Sequence, residues 1–192
     1  MKARLLAALS VLLLVACAGG GGAPAEIATV KRRYEGYTVA RAEQEGYGRD
    51  QFCLDATSFG QPASRGPMGF HATNEALLRG PIAAERPQAL MFDAEGKVLG
   101  VEYEVMADAV KEPPKLFGKT FAKLPPHPGV DHEHYTLHVW IVDNPSGWSA
   151  DFNPRVSCPP GSTWRTMRSS SWRTTPAPGS STATTSCTWA GA

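Results

Sequence analysis

A short apolar segment near the start of the chain constrains where the rest of it can fold. Lys2 and Arg4 precede an apolar run of 12 residues, Leu5 to Ala16. A basic region, a short apolar region and small residues form the pattern of a secretory signal. A span across a bilayer takes roughly 20 apolar residues, so this run is too short to be one. We therefore predict that the domain folds outside the cytoplasm, where disulfides form.

The end of this run carries a second signal. Leu14-Val15-Ala16-Cys17 resembles the lipobox of bacterial lipoproteins. The resemblance implies that residues 1–16 are removed, that Cys17 carries palmitate, and that the mature protein is held at a membrane in the cell envelope. Alanine follows the cysteine, which by the same resemblance favours the outer membrane in a Gram-negative bacterium. An ordinary signal peptide is the alternative, and it leaves the position of Cys17 unexplained.

Composition divides the remaining chain into three parts. Residues 17–25 are rich in glycine and form a flexible tether. Residues 26–161 are the length of one globular domain. Residues 162–192 contain seven Ser, eight Thr and three Trp, without Asp, Glu, Lys or large aliphatic residues. Such a segment cannot bury enough apolar surface to order itself, so we predict a disordered tail. A glycosylated stalk is one explanation of it, and translation in a shifted reading frame is the one that we favour.

Charge argues against nucleic acid as a partner. The chain has 19 Lys and Arg against 18 Asp and Glu, but two basic residues lie in the signal and three in the tail. The domain is therefore acidic, with 14 basic and 18 acidic residues. Binding to nucleic acid requires a basic surface that neutralises phosphates.

The pattern of apolar residues predicts an α+β domain. The spacing of apolar residues predicts a helix over Glu26–Glu45, ended by Gly46, and a short helix over Glu75–Arg79. Residues 89–92 and 97–106 flank an Asp and Gly loop and predict a β-hairpin, and residues 135–142 predict a central strand apolar on both faces. Residues 112–128, with five prolines, predict an irregular crossing with a binding or lid role. We expect the N-terminal helix to pack on an antiparallel, possibly barrel-like sheet.

Two of the four cysteines lie inside the predicted domain. Cys17 is the predicted anchor and Cys187 lies in the tail, which leaves Cys53 and Cys158. Outside the cytoplasm such a pair is most simply a disulfide. A reactive thiol is the alternative, but no Cys-x-x-Cys spacing supports it.

Histidines mark the candidate site. Four of five fall within residues 127–138, and His132, His134 and His138 share one face if the strand extends back to Asp131. Neutral imidazole binds zinc, copper, iron or nickel, with Asp131 and Glu133 as supporting or alternate ligands. A solvated histidine-rich surface is the competing interpretation, and no His-Glu-x-x-His motif is present. His71 follows a glycine-rich stretch and is a further candidate.

Established catalytic motifs are absent. The sequence has no Gly-x-Ser-x-Gly elbow, no phosphate-binding Gly-rich loop and no dinucleotide fingerprint. Glu102 and Glu104 alternate along one face of a predicted strand, and a carboxylate pair could serve as acid and base. We expect instead that they lie on a solvated outer face of the sheet.

Several sequence pieces, taken in order, resemble a family of secreted and lipid-anchored bacterial proteins that has no established activity. The resemblance covers about residues 28–158 and implies that histidine is expected at His71 and His138, whereas His127, His132 and His134 depart from the pattern. It also implies that the natural chain ends close to Cys158. The pieces are residues 28–34, 68–71, 86–90, 99–103, 116–118, 138–140 and 153–158.

The function predicted from the sequence is that of a lipid-anchored binding protein of the cell envelope. Its expected ligand is a metal, zinc or copper, or a small molecule, held near His71, His138 and Trp140, with His132 and His134 as further candidates. A binding site needs only a pocket with fixed polar groups. A metal-assisted enzyme also needs an open metal position and a base. That enzyme and an envelope structural module without a ligand are the alternatives.

Overall fold

The domain is built around an antiparallel sheet of six strands. The computed structural model describes residues 23–171. The strand order is β1-β2-β3-β4-β8-β7, and β5 and β6 form a separate hairpin. The predicted α+β class is confirmed. The sheet is open rather than closed into a barrel, because its two end strands, β1 and β7, do not pair with each other. The strands are β1 Gly48–Asp55, β2 Pro67–Thr73, β3 Ala89–Phe92, β4 Val98–Met106, β5 Lys115–Leu116, β6 Lys119–Thr120, β7 Ala122–Leu124 and β8 His134–Trp140.

The predicted hairpin joins β3 to β4. The side chain of Asp93 accepts a hydrogen bond from the backbone N–H of Lys97 at 2.7 Å. Gly96 adopts a φ of +81° in the turn, a conformation that glycine reaches without steric cost. The strand predicted over residues 135–142 is β8, which lies between β4 and β7 and is therefore inside the sheet.

The single helix predicted over Glu26–Glu45 is two helices. α1 spans Ala25–Tyr34 and α2 spans Val39–Gln44. Gly36 has a φ of +72°, which breaks the first helix, and the side chain of Thr38 accepts the N–H of Arg41 and begins the second. The continuous spacing of apolar residues concealed this break, because both helices turn apolar residues toward one sheet.

The second predicted helix, Glu75–Arg79, is a single 3₁₀ turn at Glu75–Leu77. Asn74 does not cap it through its side chain. That side chain donates instead to the carbonyl of Glu45 at 3.1 Å. The side chain of Asn74 therefore makes a tertiary contact and does not cap a helix at this point.

Each face of the sheet has a different cover. Helix α1 packs Ile27, Val30 and Tyr34 against an apolar face that includes Val101 and Val139. The opposite face is covered by two irregular segments, which we name the covering loop, residues 125–133, and the C-terminal cover, residues 143–158. The predicted irregular crossing over residues 112–128 contains β5, β6 and β7 and leads into the covering loop.

The predicted disulfide links Cys53 of β1 to Cys158 at the end of the C-terminal cover. Just beyond it, the segment predicted to be disordered from Ser162 onward begins with residues that contact β1. The N–H of Cys53 donates to the carbonyl of Ser162 at 2.8 Å, and Trp164 packs edge-on against Phe52. These contacts order the start of α3, Trp164–Ser171.

Other predictions fall outside the described residues. They concern the signal over residues 1–16, the lipid anchor Cys17, most of the tether and the tail beyond residue 171. Among the helices of residues 23–171, none has the length and apolarity that crossing a bilayer requires.

Candidate metal centre

Register brings three titratable side chains together on the face opposite α1. Glu102 of β4 pairs directly with His138 of β8. His71 comes from β2, on the far side of β3, and β3 places Ala89 opposite Glu102. Because the alanine side chain is small, the imidazole of His71 reaches over β3 to the carboxylate.

Glu102 lies between the two imidazoles. Its Oε2 is 3.2 Å from Nε2 of His71, and its Oε1 is 3.4 Å from Nε2 of His138. Thr136, also on β8, donates its hydroxyl to Oε1. One potential ligand atom from each of the three residues lies within 4.8 Å of the others. The ring centroids of His71 and His138 are 6.4 Å apart, so the pair singled out from the sequence does converge.

All three side chains are buried beside a small cavity. The exposed fractions of His71, Glu102 and His138 are 5%, 7% and 2%. The cavity has a volume of about 20 Å³, and the covering loop closes it with His127 and the backbone of residues 128–130. A volume of roughly 10–15 Å³ holds one water molecule. The cavity therefore accommodates a single water molecule or ion.

Several nitrogen atoms at this site have no hydrogen-bond partner. They are Nδ1 of His71 and both ring nitrogens of His138. The nearest oxygen to Nδ1 of His138 is Oδ1 of Asp151, at 3.6 Å, which is too long for a hydrogen bond. Buried polar atoms without partners are costly, and they are rare in native proteins unless another group occupies the site. Both observations fit a site that holds a cation.

Opposite charges stabilise one another at this centre. Burial is the largest influence on Glu102 and disfavours its charge, but His138, His71 and Thr136 together outweigh it and hold the pKa of Glu102 well below its usual range. Burial likewise opposes the charge on His138, yet Glu102 and Asp151 raise its pKa. The neighbouring imidazole of His138 lowers the pKa of Asp151. Glu102 is therefore a carboxylate at neutral pH and an anionic donor for a metal.

The expectation that Glu102 and Glu104 lie on a solvated face is wrong. Glu104 is 2% exposed, because the covering loop lies above it. Burial, followed by repulsion from Glu102, raises the pKa of Glu104 to about 9. Burial also raises the pKa of Asp50, which lines the same cavity. The cavity thus contains three carboxyl groups in different environments.

The remaining predicted site residues lie elsewhere. Trp140 does not line the cavity. It donates its indole N–H to the carbonyl of Ala150 at 2.6 Å and packs in a second apolar cluster. β8 begins at His134, so His132 lies outside the strand. His134 is four residues from His138, about 13 Å along a strand, so the predicted convergence of His132, His134 and His138 is not found.

Sequence reasoning did not place Glu102 between His71 and His138, and it did not place Asp151 beside His138. Alternation along β4 indicated only that Glu102 faces away from the helices. The position of Glu102 opposite His138 depends on the register between β4 and β8, which are separated by 27 residues in the chain. No local pattern reports such a pairing.

Comparisons of the chain with protein-family models, with curated proteins and with solved structures give no match. The resemblance described from the sequence pieces therefore stays a prediction. The function is argued below from the site alone.

Proposed function

We propose that this protein is a lipid-anchored protein of the cell envelope that binds one zinc ion through His71, Glu102 and His138. The observation that carries the proposal is the convergence of three buried donor side chains within 4.8 Å. For a tetrahedral ion with bonds of about 2.0–2.1 Å, neighbouring ligand atoms are roughly 3.3–3.4 Å apart. The imidazole to carboxylate distances, 3.2 Å to Oε2 and 3.4 Å to Oε1, are close to that spacing, and one donor atom from each residue lies within 4.8 Å of the others.

The cavity favours a metal ion over an organic ligand. Pockets for small molecules have volumes of roughly 300–1,000 Å³, whereas this cavity measures about 20 Å³. An ion with one coordinated water molecule fits that space, and an organic molecule does not. The size of the cavity thus supports a metal ion among the two kinds of ligand that the sequence left open.

The donor set favours zinc. Two histidines and one glutamate form one of the common zinc ligand sets, with a water molecule in the fourth position. Copper, the other metal expected from the sequence, also binds imidazole. A carboxylate with two imidazoles additionally suits Fe²⁺. Metal analysis must therefore measure zinc, copper and iron together.

The surroundings of the site support binding more than catalysis. A metal-dependent hydrolase needs an open metal position that a substrate can reach. Here the covering loop lines the cavity, whose volume of about 20 Å³ is that of a single water molecule or ion rather than of an organic substrate. The alternative of a structural module without a ligand does not account for unpartnered nitrogen atoms of His71 and His138 in the interior.

Elemental analysis of the purified full-length chain tests the metal. After dialysis against zinc, the His138→Phe variant is expected to contain one equivalent of zinc less than the wild-type protein. Phenylalanine keeps a ring of similar shape without nitrogen donors. His71→Phe should lose the same equivalent and guards against a folding defect particular to one variant. The control is His132→Phe, a histidine outside the ligand set, which should keep the full content. Unchanged zinc in both site variants would refute the proposal.

The location is proposed on separate grounds. The apolar run before Cys17 and the lipobox-like residues support export and lipid attachment. The Cys53–Cys158 disulfide is in keeping with an oxidising compartment. Substitution of Cys17→Ser should abolish lipid labelling and membrane retention, measured by cell fractionation. Retention of the labelled protein in the membrane fraction would contradict the anchor.

A further inference from the structure

A second pair of histidines meets at the edge of the covered face. His127 belongs to the covering loop, and His134 is the first residue of β8. Their Nε2 atoms are 3.2 Å apart, and their rings are tilted at 72° with centroids 4.9 Å apart. Neither residue belongs to the three-residue metal centre.

The other nitrogen of each ring contacts a backbone carbonyl. Nδ1 of His127 is 3.0 Å from the carbonyl oxygen of Pro128, and Nδ1 of His134 is 3.1 Å from that of His132. A carbonyl oxygen only accepts hydrogen bonds, so each Nδ1 must carry its hydrogen. In a neutral imidazole the second nitrogen then carries a lone pair. Two lone pairs, those of His127 and His134, therefore point at one another.

The hydrogen count at this pair is one short. Two neutral imidazoles carry two N–H hydrogens in total. The pair makes three polar contacts, two to carbonyls and one between the Nε2 atoms, and each contact needs one hydrogen. A further positive group that both Nε2 atoms of His127 and His134 can contact completes the set. That group is either a proton or a metal ion.

Burial disfavours the proton. His134 is fully buried, and His127 packs edge-on against Phe59 with ring centroids 4.9 Å apart. Burial is the largest influence on both histidines and lowers the pKa of each. Among the other titratable groups, Glu102 acts to raise the pKa of both histidines, whereas His71 acts to lower that of His127, and His132 and His138 act to lower that of His134. Burial outweighs the charge of Glu102 at both histidines.

We propose that His127 and His134 form a second transition-metal site, which fastens the covering loop to β8. The 3.2 Å separation of the Nε2 atoms matches neighbouring ligands of a four-coordinate ion, whose ligand atoms are about 3.3 Å apart. Imidazole donors suit Cu²⁺ and Zn²⁺, and copper binds such donors more strongly. Within residues 23–171 no third His, Cys, Asp or Glu side chain joins the pair as a ligand group, so water molecules complete the coordination.

The second site is independent of the first in its residues but connected to it through the loop. Residues 128–130, which close the first cavity, directly follow His127. An ion held between His127 and His134 therefore keeps the cover in place. With two protein ligands instead of three, the second site binds its ion more weakly and releases it first.

Metal titrations of the full-length chain test this proposal. Wild-type protein titrated with zinc alone, and separately with copper alone, should bind two equivalents, and His127→Phe and His134→Phe should each bind one. The control His132→Phe, in the same loop, should bind two. His138→Phe should bind one, and the double variant His127→Phe/His138→Phe should bind none. Far-UV circular dichroism of each variant shows that the fold is retained.

The outcomes separate the two sites. If His138→Phe binds as much metal as wild type while His127→Phe loses one equivalent, the second site exists and the proposed function fails. If His127→Phe and His134→Phe bind as much as wild type, the pair shares a proton and the second site is overturned, whatever His138→Phe shows. A loss of metal in the control His132→Phe equal to that in His127→Phe would also overturn the assignment to the pair.

Discussion

The charge of Glu102 is central to the proposed site, and its removal gives the sharpest prediction. Glu102→Gln keeps the size of the side chain and an oxygen that accepts the Thr136 hydroxyl. It removes the negative charge that lies 3.2 and 3.4 Å from the two imidazoles. We expect the affinity for zinc to fall at least 100-fold, because loss of partners outside the ligand shell already costs about 10–100-fold.

The size of the effect on stability follows from linkage. Zinc at 100 times its dissociation constant stabilises the wild-type protein by about 2.7 kcal/mol. For a domain of about 150 residues, each kcal/mol shifts the melting temperature by roughly 2–4 °C, so zinc should raise it by about 8 °C. After a 100-fold loss of affinity the same zinc concentration contributes about 0.4 kcal/mol, a shift of about 1 °C.

Thermal unfolding with and without zinc measures both shifts on the same proteins. The control is Glu104→Gln, which makes the same side-chain replacement two residues further along the same face, beside His132 rather than the imidazole pair. Because the pKa of Glu104 is raised to about 9, this variant removes no charge at neutral pH. It should keep the full shift of about 8 °C. Equal zinc-dependent shifts in Glu102→Gln and wild type would refute the role of Glu102. Any metal bound at another site contributes equally to the melting-temperature shifts of both proteins, so it cancels from the difference between them.

Three further predictions concern stability. Replacing Cys53 and Cys158 by alanine opens a link that spans 105 residues and should lower the free energy of unfolding by about 4–5 kcal/mol in guanidinium denaturation. Gly69→Ala should lower the free energy of unfolding by about 3 kcal/mol, because φ is +104° and the added Cβ would lie 2.6 Å from a backbone oxygen. Gly36→Ala, where the added Cβ meets open space, should lower it by about 1 kcal/mol. Burial raises the pKa of Tyr103, so the contribution of Tyr103 to stability is complete below a pH of about 10 and is lost as the pH rises above it. Tyr103→Phe should therefore flatten the decline in the free energy of unfolding between about pH 8 and 11.

Each of these has a contradicting result. A double cysteine variant as stable as wild type would show that the link constrains little of the unfolded chain. Equal costs at Gly69 and Gly36 would mean that the crowding around Gly69 relaxes freely. A decline in stability at high pH that is the same with phenylalanine in place of Tyr103 would assign the alkaline sensitivity to other groups.

Local sequence patterns predicted the elements that local interactions determine. The Asp and Gly loop between β3 and β4 closes through a hydrogen bond within five residues, and the hairpin appears where the sequence places it. The number of helices was not predicted, because the break at Gly36 lies inside a continuous spacing of apolar residues. The disulfide followed from counting cysteines in a chain with an export signal.

The site was only half predictable for a physical reason. His71 and His138 were identified as a pair by resemblance, but Glu102 was assigned to a wet face. Alternation of side chains shows which face of a strand a residue occupies, not what covers that face. The cover consists of two irregular segments without periodicity. Their position depends on contacts with residues of other elements, such as that of Asp151 with His138 of β8. Trp140 was misplaced for the same reason, since its partner, the carbonyl of Ala150, lies in the C-terminal cover.

The disulfide determines when the proposed metal site becomes complete. Cys158 ends the C-terminal cover, which brings Asp151 to His138, and the link to Cys53 holds that cover against β1. In a reducing compartment the link does not form, and the cover is then held only by non-covalent contacts. If the protein is exported and binds an ion as proposed, its maturation has an order: translocation, oxidation, then acquisition of the ion. A chain that matures in this order does not draw on the metal pool of the cytoplasm, and its metal content reports the conditions outside it.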